Sequence, residues 1–440
     1  MRAWDVEEMW SVVLLILFAM GGYVPFLTKG LADPSVHSNF STSAANPISQ
    51  AMILLIWLGT LVPVGRILPR LMNSAYAIRP LMPYILLAFA SILWSQDSMT
   101  SMRKLLNFSL TCIFAFYFAI RFPLHKQLKM VYAATSLIAI SSVALCLLAP
   151  KYAIDHAEHA GAWQGLLQGK NALGGAMVIG LAAALVLRPK SMLQKATRVF
   201  IMLLFAGVIF MSDSSGALVV IAVLWASLPL LKHLAGYEQK TRALITVILF
   251  VGAATLVITV VEYLPIILKL LNRDPTLTGR TDLWKAVLIS IFKHPFLGYG
   301  YGAFWLGLKG ESANVILAVK WAVPHAHNGF LDIWLSMGGV GLAFFGYALL
   351  KACRRIWAII LSNDLKASLW LISIVILVLT YNLDESVLIG SPSVMWILLV
   401  SAFCGLEVYA HNHQRQPSFV RYPGGAVDML LAGPIVPTAA

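Results

Sequence analysis

The chain has 440 residues, of which 59% are hydrophobic and 12% charged, with a formal net charge of +13. Soluble domains carry about 25% charged residues, so this composition excludes an ordinary soluble enzyme and points to repeated crossings of a bilayer. The basic excess is explained first by the bias of Lys and Arg toward one membrane side, and no soluble basic domain is present that would bind nucleic acid.

Inside lipid each crossing must satisfy its own backbone, as a helix or within a closed barrel. The apolar runs here lack strict alternation, so helices are expected. In chain order twelve spans are predicted, at 9–26, 50–65, 80–94, 105–120, 130–149, 171–187, 199–211, 216–231, 243–261, 329–350, 367–383 and 393–409. Residues 1–410 read as a single transmembrane domain, with 262–328 a long polar loop and 411–440 a loosely ordered cytoplasmic tail. The first run lacks a small-residue cleavage pattern and follows Asp5, Glu7 and Glu8, so it reads as a retained span. Cys112, Cys146, Cys353 and Cys404 form no CxxC pair and read as buried packing residues.

The charge count orients the chain. With the N-terminus inside, inside segments hold 20 Lys and Arg, and outside segments hold 12, of which 7 fall in the long loop. Long loops are weak determinants of orientation, so the informative contrast is 20 against 5. It places the long loop outside the cytoplasm.

Basic residues on that disfavoured side are either interfacial anchors or ligand contacts. They include Arg103 and Lys104 at the fourth span, Lys170 beside Asn171 at the sixth, and Arg280 in the long loop. Leu283, Trp284, Val287, Leu288, Ile291 and Phe292 recur at helical spacing, predicting an amphipathic helix over 280–293. Thr278 or Thr281 is expected to cap it. Arg280 would then stand at a helix N-terminus, where free N–H groups favour an anion such as phosphate; the alternative is an anchor in lipid headgroups. The GYGYG run (298–302) is expected to be a turn ending this helix, not an ion filter. In HAHN, His325 and His327 stand just before the tenth span. No Cys or carboxylate set accompanies them at metal spacing, so no metal is expected. A neutral imidazole there could take a proton from a sugar hydroxyl, oriented by Asn328 or Asp332. Asp384 and Glu385 could pair with the basic cluster or contact sugar hydroxyls.

The segments LTGRTDLW, HPFLGYGYGAFW and HAHNGFLDIWL resemble the O-antigen ligase and polysaccharide polymerase superfamily. WQGLLQGKNALGG and LWSQDSMTSMRK are similar to its succinoglycan-type exopolysaccharide polymerase branch. The chain departs from that branch at Gln164, where a basic residue is expected, and at Gly169, where a histidine is expected. The resemblance implies an all-α, GT-C-like polytopic enzyme of the bacterial inner membrane with its active site on the periplasmic side. It implies transfer of a glycan from a polyprenyl pyrophosphate carrier to an acceptor hydroxyl, without cofactor, metal or nucleotide sugar. The partners implied are the lipid-linked oligosaccharide, the growing polysaccharide and the bilayer, with a chain-length regulator and a flippase alongside. The essential arginine and histidine of the family correspond to Arg280 and to a histidine of HAHN, His327 ahead of His325; Arg103, Lys170, Asn171, Asn328 and Glu385 are the candidate substrate contacts. The leading expectation is a repeat-unit polymerase. The alternatives are ligation to lipid A-core and, from a different class, transport of the lipid-linked glycan, which would place charges at the bilayer midplane.

Overall fold

A computed structural model describes residues 5–21, 47–156, 159–249, 279–362, 365–389 and 393–415. Every extended regular element among them is helical, and strand-like pairing is limited to two isolated bridges, Ile154 with Trp163 and Leu306 with Lys309. The principal helices are α1 (Val6–Met20), α2 (Pro47–Arg66), α3 (Met82–Ala90), α4 (Ser98–Arg121), α5 (Leu124–Leu148), α6 (Lys170–Val186), α7 (Met192–Met211), α8 (Ser215–Leu234), α9 (Arg280–Lys293), α10 (Ser312–Val319), α11 (Gly329–Leu361), α12 (Leu365–Tyr381) and α13 (Val394–Arg415), and residues 239–249 are helical too. Six of these, α4, α5, α7, α8, α11 and α13, are long and apolar enough to cross a membrane. Shorter apolar helices lie at Gln50–Arg66, Arg79–Trp94, Lys170–Val186 and Ser368–Tyr381.

Helix α6 lies at the centre. Its residues from Leu173 to Ala184 are buried without a break, as expected of a helix apolar on all sides. It packs against α5, α7, α8 and α12, while α13 joins α4, α12 and α11. Helix α1 closes on α5. At the far end of α6 from Val186, Lys170 and Asn171 form its first turn, which brings them to the same end of the bundle as the start of α11.

Helix α11 is broken at Gly338, whose φ of 65° and ψ of −169° interrupt it. The break frees the carbonyls of Leu335 and Ser336 and the N–H groups of Gly339 and Val340, which a continuous helix would pair with each other. Residues 295–300 supply all four partners. Tyr299 and Gly300 N–H groups donate to Leu335 and Ser336 at 2.8 and 3.0 Å, and Gly339 and Val340 donate to Pro295 and Phe296 at 2.8 and 3.2 Å. The GYGYG run is thus a strap set into a helix. Its Tyr301 N–H donates to Ser91 Oγ at 2.8 Å, Ser101 Oγ donates to Tyr301 O at 3.0 Å, and Lys104 Nζ donates to Gly302 O at 2.7 Å.

Several expectations are corrected. Helix α9 spans the predicted residues, but its cap is Gly279 at φ 85° with no side-chain cap bond; Thr278 lies outside the described residues. Its buried stripe is Leu283, Val287, Ser290 and Ile291, while Phe292 is exposed, because the helix packs on α10 and α11. The GYGYG run does not end α9, which stops at Lys293; it occupies the α11 break. The third predicted span is mixed, with 3-10 turns at Arg79–Leu81 and Ser91–Trp94 around α3. Cys353 is exposed, unlike the other three cysteines. Helix α13 continues past the expected start of the tail at 411 to Arg415. Residues 250–261 of the ninth span and 262–278 of the long loop lie outside the described residues.

At Gly338 an added Cβ would sit 2.1 Å from the backbone C and O atoms of Phe296, on a positive φ. Gly338→Ala is expected to destabilise the protein by at least about 2 kcal/mol, read as a lowered melting temperature in detergent. Gly346→Ala, with nothing within 4 Å, is expected to match the wild type or exceed it slightly.

Candidate active site

The turn before α11 is shaped by its own polar residues. Asn328 caps the helix, accepting from Phe330 and Leu331 N–H at 3.0 and 3.3 Å. Asp332 is buried and reaches back, accepting from Trp305 Nε1 at 2.7 Å, from Ala326 N–H at 3.0 Å and from Ser386 Oγ. Helix α9 is tied to the same turn by Trp284 Nε1, which donates to Ala326 O at 2.9 Å. Held in this way, His327 takes a left-handed φ of 48°, a conformation that non-glycine residues adopt at a cost. Its N–H donates to His325 Nδ1 at 3.2 Å, which leaves the proton of a neutral His325 on Nε2.

The loop after α12 closes over this turn. Gly329 N–H donates to Asn382 O at 2.9 Å, and an added Cβ at Gly329 would meet Asn382 Oδ1 at 1.8 Å. Two consecutive carboxylates follow. Asp384 pairs with Arg280 Nη1, and its other oxygen lies where a Cβ on Gly216 would stand, at the start of α8. Glu385 faces both imidazoles, with Oε2 3.4 Å from His325 Nε2 and Oε1 3.3 Å from His327 Nδ1. The second is an ion-pair contact outside hydrogen-bond alignment, since His327 Nδ1 is buried with no hydrogen-bond partner among the described residues. Asn171 Nδ2 donates to Glu385 Oε1 at 2.5 Å. Asn171 is itself fixed by Ser214 Oγ, which donates to its Oδ1 at 3.1 Å, and by Tyr381 OH, which donates to its carbonyl at 2.5 Å.

The structure therefore gathers His325, His327, Asn171 and Glu385 in direct contact, with Arg280 on the adjoining carboxylate. Lys170 lies one residue from Asn171 and meets Asp213 at 3.5 Å. Asn328 is occupied as the α11 cap. Arg103 is not brought to the cluster; it is exposed near Asp97 in the first turns of α4. Lys104 is the inward neighbour, and its helical spacing with the buried Ser101, Leu105 and Phe108 could have indicated this. Asp384, Ser214 and Tyr381 complete the surroundings. Asp384 pairs with Arg280, one of the two roles its position in the sequence suggests; no local pattern marks Ser214 or Tyr381, because their partners are distant along the chain.

Burial alone would push the Glu385 carboxyl up; the facing His327 and His325, with Arg280, outweigh it and hold it below its ordinary value. Burial and the neighbouring His327 push His325 down, against the pull of Glu385 and Asp332. Both shifts are downward, and both make stability fall as pH falls. The depressed Glu385 contributes stability that is present above its unfolded pKa and lost as pH falls through the folded one. The depressed His325 favours folding fully above 6.5, its ordinary value, and costs stability as the unfolded chain protonates below it. His325, His327 and Glu385 offer three ligand atoms within 4.8 Å of one another and could hold a metal ion, a His₂Glu set of the kind zinc uses.

Residues 200–346 match the O-antigen ligase family. Over 106 residues the chain is 29% identical to the exopolysaccharide production protein ExoQ of Rhizobium meliloti (strain 1021), covering 23% of this chain and 24% of that protein. Over 137 residues it is 30% identical to a protein of Rickettsia prowazekii (strain Madrid E) named "Putative polysaccharide ligase", covering 30% of this chain and 33% of that one. The matches thus span a third or less of the length of these relatives. The family match runs from within α7 through Arg280, the GYGYG strap and both histidines to the middle of α11.

Removing the Glu385 charge removes an anion that favours the imidazolium form of the facing His325. In Glu385→Gln the acidic limb of the pH–rate profile is expected to move to lower pH, and the rate on the plateau to fall about tenfold or more. A profile superimposable on the wild type would contradict coupling between Glu385 and the histidines.

Proposed function

We propose that this chain is a membrane glycosyltransferase that joins polyprenyl-pyrophosphate-linked oligosaccharide units into an exopolysaccharide. The observation that carries this reading is the Asp384–Glu385 dipeptide. Neighbouring Cα atoms stand about 3.8 Å apart, so an arginine held by Asp384 and two histidines held by Glu385 converge on one place. A donor with a pyrophosphate leaving group needs that combination. Arg280 offers a planar fork of donors to the developing charge, with Lys170 near by. Its present partner Asp384 gives way to the pyrophosphate. His327 directs Nδ1 to Glu385, which leaves Nε2 to accept a proton.

In the proposed step the acceptor hydroxyl loses its proton to His327 Nε2 as its oxygen bonds to the anomeric carbon. The bond from that carbon to the pyrophosphate oxygen breaks, and its electron pair leaves on the pyrophosphate beside Arg280. Attack opposite the leaving group inverts the anomeric configuration. The leaving group needs no protonation, so a second acid of the glycosidase kind is unnecessary. The reaction is read as metal-independent, because Glu385 already compensates the histidine pair and Arg280 supplies the cation.

The topology behind this reading has twelve crossings. It assigns crossings to the six long and four shorter apolar helices, to Val6–Met20 and to the segment that contains helical residues 239–249. With the N-terminus inside, the site opens on the periplasmic side of a bacterial inner membrane. Ligation to a lipid A-core acceptor is the second reading, supported by the ligase name of one relative.

Incubation of purified protein with its lipid-linked repeat unit separates these readings. A ladder of products without core acceptor is the expected outcome; product only with core would indicate ligation, and neither would contradict transferase activity. His327→Ala is expected to lower transfer at least about a hundredfold with normal membrane insertion. Treatment with EDTA is expected to leave turnover unchanged, whereas loss restored by zinc would assign the His₂Glu group to a metal.

A further inference from the structure

A second polar cavity lies at the other end of α11. Lys351 and Arg355 are 22 and 26 residues beyond Gly329, and 22 residues of helix rise about 33 Å, close to the thickness of a bilayer's hydrocarbon core. There Arg79, Lys351, Arg355, Glu407, His411 and Tyr76 line a cleft of about 340 Å³. The acid in it is already matched: Arg355 Nε and Nη2 donate to the two oxygens of Glu407 at 3.3 and 3.2 Å. Arg79 and Lys351 have no carboxylate partner among the described residues. They leave the cleft with two uncompensated positive charges.

The walls are ordered. Tyr76 stacks on His411 with ring centroids 4.1 Å apart, and Lys351 Nζ sits 5.7 Å from the centroid of the Tyr347 ring. Tyr347, which lines the cleft, and Leu350, next to Lys351 in α11, are exposed. In a membrane-spanning bundle such apolar residues meet acyl chains, and interfacial tyrosines sit at headgroup level. Cations held above an apolar rim suit an anion that brings its own hydrocarbon. A cleft of this size takes a phosphodiester and its glycerol, and Arg with Lys is a favourable pair for phosphate.

We propose that this cleft binds the phosphodiester headgroup of an anionic membrane phospholipid, at the opposite end of the bundle from the histidine cluster. The site is built from α11, α13 and the turns around Arg79, so headgroup occupancy fastens the far end of the kinked helix to its neighbours.

The test uses the full chain purified in mild detergent and supplied with phosphatidylglycerol or phosphatidylcholine, with retained lipid counted by native mass spectrometry. Wild type is expected to retain phosphatidylglycerol in preference, and the Arg79→Gln, Lys351→Gln double variant to lose that retention about tenfold, as the loss of a charge-assisted hydrogen bond implies. The charge-retaining pair Arg79→Lys, Lys351→Arg is expected to keep most of it. If the double variant does not fold, Lys351→Gln alone is read in the same way, with about a threefold loss expected. Equal retention of both lipids, equal phosphatidylglycerol retention in the glutamine variants, or binding of inorganic phosphate without the lipid would overturn the proposal.

Discussion

A buried carboxylate is costly unless charged or polar neighbours compensate it, and Glu385 is compensated from two other parts of the chain. Asn171 comes from the first turn of α6, His325 and His327 from the turn before α11, and Glu385 itself from the loop after α12. None of these segments alone could hold an ionised side chain out of water. Their meeting fixes the relative positions of α6, α11 and α12, because withdrawing any one leaves a charge or a buried amide unpaired. The stabilising contact and the candidate chemistry therefore reside in the same atoms.

The break in α11 serves this meeting. Four backbone bonds between 295–300 and the Gly338 interruption lock the strap to the helix. Trp284, Trp305 and Asp332 then transmit that position to the HAHN turn. Two of the segments that carry the family resemblance, LWSQDSMTSMRK and HPFLGYGYGAFW, touch directly through Ser101, Lys104 and Gln96. Their residue types follow from this contact. The strap turns at glycines, and the facing helix offers short or long donors to carbonyls that the turn leaves open. A helix interrupted at the depth of a site is a recurring way to expose backbone polarity where protein covers it.

Much of the fold is legible in the sequence because lipid imposes length and composition on each helix. The start of α9 at Arg280 and of α11 at Gly329 follow from periodicity and the change from polar to apolar composition. The histidines and Arg280 stand out as polar residues beside apolar runs. What periodicity cannot reveal is which side chains meet across the bundle. Arg103 and Lys104 are adjacent and chemically alike, yet only Lys104 turns inward, and that depends on a rotation of about 100° per residue against a neighbour the sequence does not identify. For Glu385 the sequence leaves open pairing or sugar contact, and does not indicate that its oxygens face Asn171 and the histidine pair. The Gly338 break was invisible because its compensation comes from residues some forty positions earlier.

The central claim is a division of labour, with Arg280 holding pyrophosphate and His327 handling the proton. It is tested most directly by equilibrium binding of polyprenyl pyrophosphate to the wild type, Arg280→Gln and His327→Ala proteins in the same detergent. The account predicts that Arg280→Gln weakens binding about tenfold or more, the scale of a lost charge-assisted hydrogen bond, while His327→Ala binds as the wild type does. Wild-type affinity in Arg280→Gln, or equal losses in both variants, would contradict it.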